Sequence, residues 1–379
     1  MAKETDKIKA TLLRKGPPAE APILPTDWLS TGSGLLNLSL SGHIQRGFCK
    51  GRYFYFVGDS DSGKSMFTQT CFAEAAINPN FNKYRFLFYN REDGALMDYA
   101  LFFGQRAADR VEVIRAETTV TLQSFYYHLA KQLQGPDPII AVADSWDAFT
   151  AEGEDKKFAS KSNAGPNDKT AGDYGMEKAK LNSQNMPRIV NLLRKTGSIL
   201  IGISQTREDI NAGNYGDGKT RAGGKALKFY AALEMWTSSA GKLTKAYKGQ
   251  FVQQGIVSRI HVRKNRLTGK EWTVTVPIYH SNGVGIDDVG SLVDFLVLWK
   301  HWPKEADKNE SPNTKKAPSA ADLMKGKITA VDFEFAGSRE AIVRKIQADG
   351  LELELRSIVS EVWNQVEQAA AVQRNPRYV

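Results

Sequence analysis

The chain has 379 residues, 41% hydrophobic and 25% charged, with a formal net charge of +9. These values fit a soluble globular protein of two or three domains with a sizeable core, and the positive excess favours polyanionic partners. Two cysteines, Cys49 and Cys71, exclude a disulfide framework and a cysteine zinc site; the five histidines show no ligand spacing.

Residues 1–26 form a charged arm with a Pro-rich end (Pro17, Pro18, Pro22, Pro25) and a short helix expected at 6–14. The start lacks the apolar stretch of a signal peptide, and no apolar run approaches the roughly 18 residues of a membrane helix. A reducing bacterial cytoplasm is the expected location.

From 27 to 302, short apolar runs alternate with helical patterns. The runs at 53–57, 85–89, 139–143 and 199–203 have strand length and little polar content, as central parallel strands do when both faces are covered. Helices are expected at 65–76, 122–133 and 178–195, the last kinked at Pro187. The alternation predicts an α/β fold with a doubly wound, mostly parallel sheet. The segments 151–175 and 206–224 read as long functional loops. Strands at 256–264 and 271–279 flank Thr268-Gly269 as a hairpin. Residues 303–321 read as a linker. A small C-terminal α/β domain follows at 322–379, with a strand at 328–335, a helix at 338–349 stopped by Gly350, and a helix at 354–371.

The strongest motif follows the first run: Gly58-Asp59-Ser60-Asp61-Ser62-Gly63-Lys64-Ser65. It matches G-x-x-x-x-G-K-[ST] between a strand and a helix, the context a phosphate-binding loop requires. Glycines let backbone N–H groups approach phosphates, and the helix N-terminus adds its dipole. Lys64 supplies charge for the β- and γ-phosphates, and Ser65 a hydroxyl for Mg²⁺. Asp59 and Asp61 sit oddly in an anion site and are expected to point outward.

The other runs also end in reactive groups, where α/β sheets bind ligands. Asp144 ends the third run and suits a water-mediated magnesium contact; a helix cap is the plain alternative. Glu92 follows the second run and can polarise a water, with Asp93 an equal competitor. Gln205 follows the fourth run and can sense a γ-phosphate or simply be a satisfied amide. Lys264 and Arg266, two apart, project from one strand face; they can reach a phosphate across a subunit boundary or blunt an exposed edge. The loop at 206–224 carries Arg207, Lys219, Arg221 and Tyr215, which suit nucleic acid, but Glu208, Asp209 and Asp217 dilute that charge.

In combination the sequence resembles the RecA family of homologous-recombination ATPases. The matching stretches are Leu29-Ser-Thr-Gly-Ser-Gly, the phosphate loop, the Glu92 segment, Asp144-Ser145, Ile203-Ser-Gln205-Thr-Arg207, Gly223-Gly-Lys-Ala-Leu-Lys-Phe-Tyr230 and Val262-Arg-Lys-Asn-Arg266. The resemblance implies a RecA-like core with ATP and Mg²⁺ as cofactors, Mg²⁺ near Ser65 and Asp144. It makes Glu92 the base and Gln205 the link from nucleotide to DNA, extends the nucleotide contacts to Met66, and stacks Tyr99 on adenine. Lys264 and Arg266 become cations on a neighbour's γ-phosphate. The two loops become DNA-binding loops, with Tyr215 inserted between bases and Lys180 and Arg188 near DNA. Implied partners are single-stranded DNA, homologous duplex DNA, copies of the chain in a helical filament, and single-strand-binding and loader proteins, with no membrane. The stretch at 39–51 and the short C-terminal domain resemble the UvsX-type branch, which implies a phage-encoded recombinase in an infected cell. The first loop is longer than the family's and does not match it, and the acidic C-terminal tail is missing. A hexameric DNA helicase on the same core and a non-catalytic recombination mediator are the competing readings.

Overall fold

The computed structural model describes residues 22–92, 98–155, 174–208, 219–221, 223–281, 283–305 and 326–374. Asp93, Tyr215, the expected helix at 6–14 and most of both expected loops lie outside these residues.

The first part of the chain contains β1 (Trp28–Leu29), α1 (Gly34–Ser41), β2 (Phe48–Cys49), β3 (Tyr53–Gly58), α2 (Lys64–Ile77) and β4 (Arg85–Asn90). Next come α3 (Tyr99–Phe103), α4 (Gln105–Ala108), β5 (Val111–Ile114), α5 (Leu122–Leu133), β6 (Ile139–Asp144) and α6 (Tyr174–Thr196). Then follow β7 (Ile199–Glu208), β8 (Lys219–Arg221), α7 (Lys225–Tyr230), β9 (Leu233–Tyr247), β10 (Gln250–Asn265), β11 (Thr273–Tyr279), β12 (Gly285–Ile286) and α8 (Asp288–Leu298). The chain closes with β13 (Lys327–Ala330), β14 (Phe335–Ser338), α9 (Arg339–Asp349) and α10 (Glu352–Ala370).

One sheet organises these elements, in the order β12-β11-β10-β9-β3-β7-β6-β4-β5, with β8 attached to β7. The four apolar runs became β3, β4, β6 and β7, and their mutual pairings are parallel. Alternation along β3 shows why these runs lack polar residues. Phe54 and Phe56 enter one apolar cluster with α2 and α8, while Tyr53, Tyr55 and Val57 enter the other with α5 and α6. A strand covered on both faces has no solvent side to mark with polar residues. The carboxyl ends of these strands consequently share one edge of the sheet.

Two details differ from the sequence expectation. The expected hairpin exists as β10 and β11, but β10 also pairs along most of its length with β9, which the sequence reading missed. The expected strand at 328–335 is two short antiparallel strands, β13 and β14, joined by a helical turn. Helix α6 runs through Pro187, as the helix expected at 178–195 does.

The C-terminal elements pack into the same apolar cluster as α2 and α8, through Ile342, Ile346, Leu355 and Trp363. One buried ion cluster secures them. The Arg339 guanidinium, 2% exposed, donates to Asp294 at 2.7 and 2.9 Å and to Asp287 at 2.9 Å. Asp287 also caps α8, accepting from the Gly290 N–H. Burial raises the Asp294 carboxyl, and the guanidinium beside it opposes that rise. Removing one partner of such a cluster leaves uncompensated buried charge, at a cost of about 3 kcal/mol or more. Arg339→Ala is therefore expected to lower the unfolding free energy from urea titration by that order, whereas the same change at exposed Arg344 leaves it near the wild-type value.

Candidate active site

Strand β3 delivers the chain to Gly58, and α2 begins at Lys64. The turn between them needs its glycines. A Cβ on Gly58 would lie 2.0 Å from the Thr237 hydroxyl and 2.4 Å from its carbonyl oxygen on β9. Gly63 has φ of +92°, and a Cβ there would meet Ile278 at 2.5 Å. The loop is also fixed from the β9–β10 side. Ser62 Oγ lies 2.7 Å from Thr237 Oγ1, and Ser258 Oγ donates to the Ser62 carbonyl at 2.7 Å. Lys64 is buried, and its ammonium donates to the carbonyls of Gly58 at 3.0 Å and Asp59 at 2.5 Å. Burial lowers its pKa, opposed by the charges of Asp144, Glu92, Asp59 and Asp61.

The carboxylates converge from the β7, β6 and β4 side of the loop. Ser65 Oγ donates to Asp144 Oδ2 at 2.6 Å. Burial raises the Asp144 carboxyl; the Ser65 hydrogen bond opposes this and the Glu92 charge adds to it. Glu92 Oε1 accepts from Ser145 Oγ at 2.5 Å and from the Gln205 amide at 2.9 Å. The Gln205 backbone N–H donates to Asp147 at 2.7 Å, which anchors that residue on the sheet edge. Four groups predicted at four strand ends thus form one connected set. Ser145 and Asp147 complete it. They follow Asp144 closely in the chain, and only the fold turns them toward Glu92 and Gln205.

Asp59, expected to point outward, is engaged instead. Its carboxylate accepts from Thr206 Oγ1 and from the Lys219 ammonium at 2.6 Å. Burial, the largest single influence, raises its pKa, but Lys219, Thr206 and Lys64 together hold it below the usual carboxylate range. Lys219 therefore ties the phosphate loop to the β7–β8 pair, in which Thr206 faces Arg221 and Glu208 faces Lys219.

On the opposite side of the loop, toward β9, β10 and β11, lies an open cavity of about 530 Å³. Residues 60–66 form one wall, and Ser239, Lys242, Gln253, Ile256, Ile278 and His280 form the rest. Its size suits a small organic ligand. The sequence reading missed this wall because it missed β9.

The remaining predicted residues are dispersed. Tyr99 is partly buried, with its ring 4.9 Å from that of Phe103 and its hydroxyl buried without a hydrogen-bond partner. Burial and the nearby Asp144 charge raise its phenol. It does not line the cavity. Lys180 and Arg188 are exposed on α6, and Arg207 is exposed near the end of β7. Lys264 and Arg266 are held together, each donating to the Phe229 carbonyl at 2.9 Å, where the last carbonyls of α7 attract cations. Both lie at the other edge of the sheet from the phosphate loop. β9 pairs with β3 from Leu233 beside Phe54 to Thr237 beside Gly58, and Leu233 also faces Asn265. That separation is about 13 Å along the strands.

A sequence model of the RecA N-terminal domain matches residues 161–285. The RecA protein of Thermus thermophilus is 28% identical over 294 residues, covering 76% of each chain. That of Campylobacter fetus is 26% identical over 317 residues, covering 78% of this chain and 77% of its own. That of Trichodesmium erythraeum is 25% identical over 286 residues, covering 76% and 70%. Over about three quarters of its length the chain is thus similar to RecA proteins. Its α/β core with a mostly parallel central sheet is the one the family resemblance led us to expect. Among the described residues, no group of three or more His, Cys, Asp or Glu side chains gathers as a metal cluster, and no helix is long and apolar enough to cross a membrane.

The Asp59 clasp is half exposed, so its worth is limited to about 1 kcal/mol or less. Asp59→Asn is expected to speed amide hydrogen exchange in β8 by about two- to fivefold while leaving α5 unchanged. Hydrogen-exchange mass spectrometry reads both segments in one experiment.

Proposed function

We propose that this protein is a DNA-dependent ATPase that polymerises on single-stranded DNA as a helical filament and catalyses homologous pairing and strand exchange. The observation that carries the reading is the Glu92–Gln205 hydrogen bond beside the Ser65–Asp144 pair, all at one edge of the sheet around residues 58–65.

The residues fit ATP and magnesium. The phosphate loop has glycines where a side chain would collide with Thr237 and Ile278, a lysine at the helix start and a serine hydroxyl next to a buried carboxylate. Ser65 and Asp144 would hold Mg²⁺, which when bound neutralises charge between the β- and γ-phosphates. The sheet order orients the substrate. The carboxylates lie on the β7 and β6 side of the loop and the cavity on the β9 side, so the γ-phosphate points to Glu92 and the nucleoside to the cavity.

In hydrolysis Glu92 accepts a proton from water as the water oxygen bonds to the γ-phosphorus. The bond to the bridging oxygen breaks with its electrons leaving on ADP. Ser145 and Gln205 hold the Glu92 carboxylate in place. Gln205 precedes Thr206 and Arg207, so a change at the γ-phosphate passes directly into the second loop. DNA contacts are assigned to that loop, with Tyr215, Arg207, Lys219 and Arg221, and to Lys180 and Arg188. Tyr99, which stands outside the cavity lining, is assigned to stack its ring on the adenine on the strength of the family resemblance alone. The phage origin rests on the sequence stretch at 39–51 and the C-terminal region. Single-strand-binding and loader proteins follow as partners of a filament-forming recombinase.

Lys264 and Arg266 cannot serve their own chain's loop from the opposite sheet edge. In a filament they would meet the γ-phosphate held by the next subunit, which is why ATP would stabilise the assembly.

Glu92→Gln is expected to bind ATP normally but to lower kcat by at least about 100-fold, the loss typical of a missing general base. ATPase assays with and without single-stranded DNA check this. Normal turnover in the variant refutes the base assignment, and a wild-type rate indifferent to DNA refutes the recombinase reading. Mixing Lys264→Ala with wild type tests the shared site. Activity should fall below the wild-type fraction present, whereas a linear decline means that each chain works alone.

A further inference from the structure

The nucleotide reading accounts for the loop, the carboxylates and the cavity. It leaves unexplained a cation on the cavity's far wall. We propose that Lys242 of β9 is a nucleotide-binding residue that pairs with the α-phosphate of the nucleotide held by its own chain. This rests on reading residues 58–65 as a nucleotide loop.

The face of the β9–β10 ribbon that carries Lys242 is the face that grips the loop. Residues directly opposite one another across an antiparallel pair share a face. Thr237 faces Ile260 and Ser239 faces Ser258, and Thr237 and Ser258 make the two hydrogen-bonded contacts to Ser62. Farther out, Lys242 faces Ile256 and Thr244 faces Gln253. Simple alternation would not keep these residues on the loop side. Counting from Ser239, the next same-face position is Gly241, and from Ile256 it is Gln254.

Two β-bulges correct this. β9 carries one extra residue between its pairs with Ser258 and Val257, and β10 carries one extra between Gln253 and Gly255. Each insertion reverses the alternation beyond it, so Lys242 replaces Gly241 and Gln253 replaces Gln254 on the loop-facing side. The cavity lining agrees, since it includes Ser239, Lys242, Gln253 and Ile256. Bulges that re-aim side chains concentrate beside functional sites.

The charge arrangement identifies the ligand atom. Lys64 directs its ammonium to the Gly58 and Asp59 carbonyls and feels the charges of Asp144 and Glu92, which places it on the γ-phosphate side. The phosphate that leaves the loop toward the cavity is the α-phosphate. Lys242 is exposed there, and no carboxylate among the described residues forms an ion pair with it. A lysine ammonium is suited to a phosphate oxygen as a point charge.

The test is equilibrium binding of fluorescent ATP and ADP analogues to the full chain without DNA. Lys242→Gln should weaken both nucleotides about five- to tenfold, by a similar factor, and Lys242→Arg should restore binding to within about twofold of wild type. Equal loss for ATP and ADP excludes the γ-phosphate, and the same fold loss for an AMP analogue marks the α-phosphate, whereas a loss absent with AMP moves the contact to the β-phosphate and overturns the proposal. Unchanged affinity in Lys242→Gln overturns the proposal. A loss confined to ATP also overturns it, by moving the contact to the γ-phosphate. Lys64→Ala is measured in parallel: if it alone abolishes binding the loop reading stands without Lys242, and if it binds like wild type the loop reading itself fails.

Discussion

The close approach of β3 and β9 at Gly58 and Thr237 is the constraint on which the site depends. The two strands pair in parallel, and a side chain at Gly58 would collide with both the hydroxyl and the carbonyl of Thr237. Because Gly58 admits that contact, Thr237 and Ser258 can hold Ser62 from one side. From the other side β7 brings Thr206 and Gln205 to the same loop. The loop is thus clamped between a ribbon that lines the cavity and a strand that leads toward residues 206–208. A loop fixed from both sides needs little rearrangement to hold a phosphate, which is the sense in which such sites are preorganised.

Much of this was legible because the central strands are buried on both faces. Their apolar runs stand out from the chain, and a reactive residue at the end of each run has only one place to go, the carboxyl edge of the sheet. Glu92, Asp144 and Gln205 could therefore be placed together without coordinates. Choosing Glu92 over Asp93 could not be done from the residues, since both follow the same strand; the family resemblance made that choice.

The β9 strand was invisible for a physical reason. Its first residues are core, but they include Glu234, a fully buried carboxylate 3.7 Å from the Lys228 ammonium, which interrupts any apolar run. Its later half extends past the packed sheet and is mostly exposed, so Lys242, Thr244 and Lys245 alternate with nothing that must be apolar on both sides. The bulges then break the period that a pattern search relies on. The expectation for Asp59 failed similarly. An aspartate in an anion site looks misplaced until Lys219, distant in sequence, is brought beside it.

On the proposed reading, the two edges of the sheet would carry different halves of the chemistry. The carboxyl edge holds the loop, Glu92 and Gln205, while Lys264 and Arg266 sit about 13 Å away at the other edge, fastened to the end of α7. If those cations act on a nucleotide, the contact joins unlike surfaces of two copies. Unlike surfaces form a two-fold dimer only if each copy's cations reach the other's nucleotide reciprocally in one interface; otherwise the contact is head-to-tail. A head-to-tail contact of that kind continues until it closes as a ring or extends as a helix. The same geometry therefore underlies the ring and the filament readings, and what separates them is the rotation between neighbours. On the proposed reading that rotation would be set where Lys264 and Arg266 meet the next subunit's nucleotide, so the nucleotide itself would become part of the interface that fixes the form of the assembly.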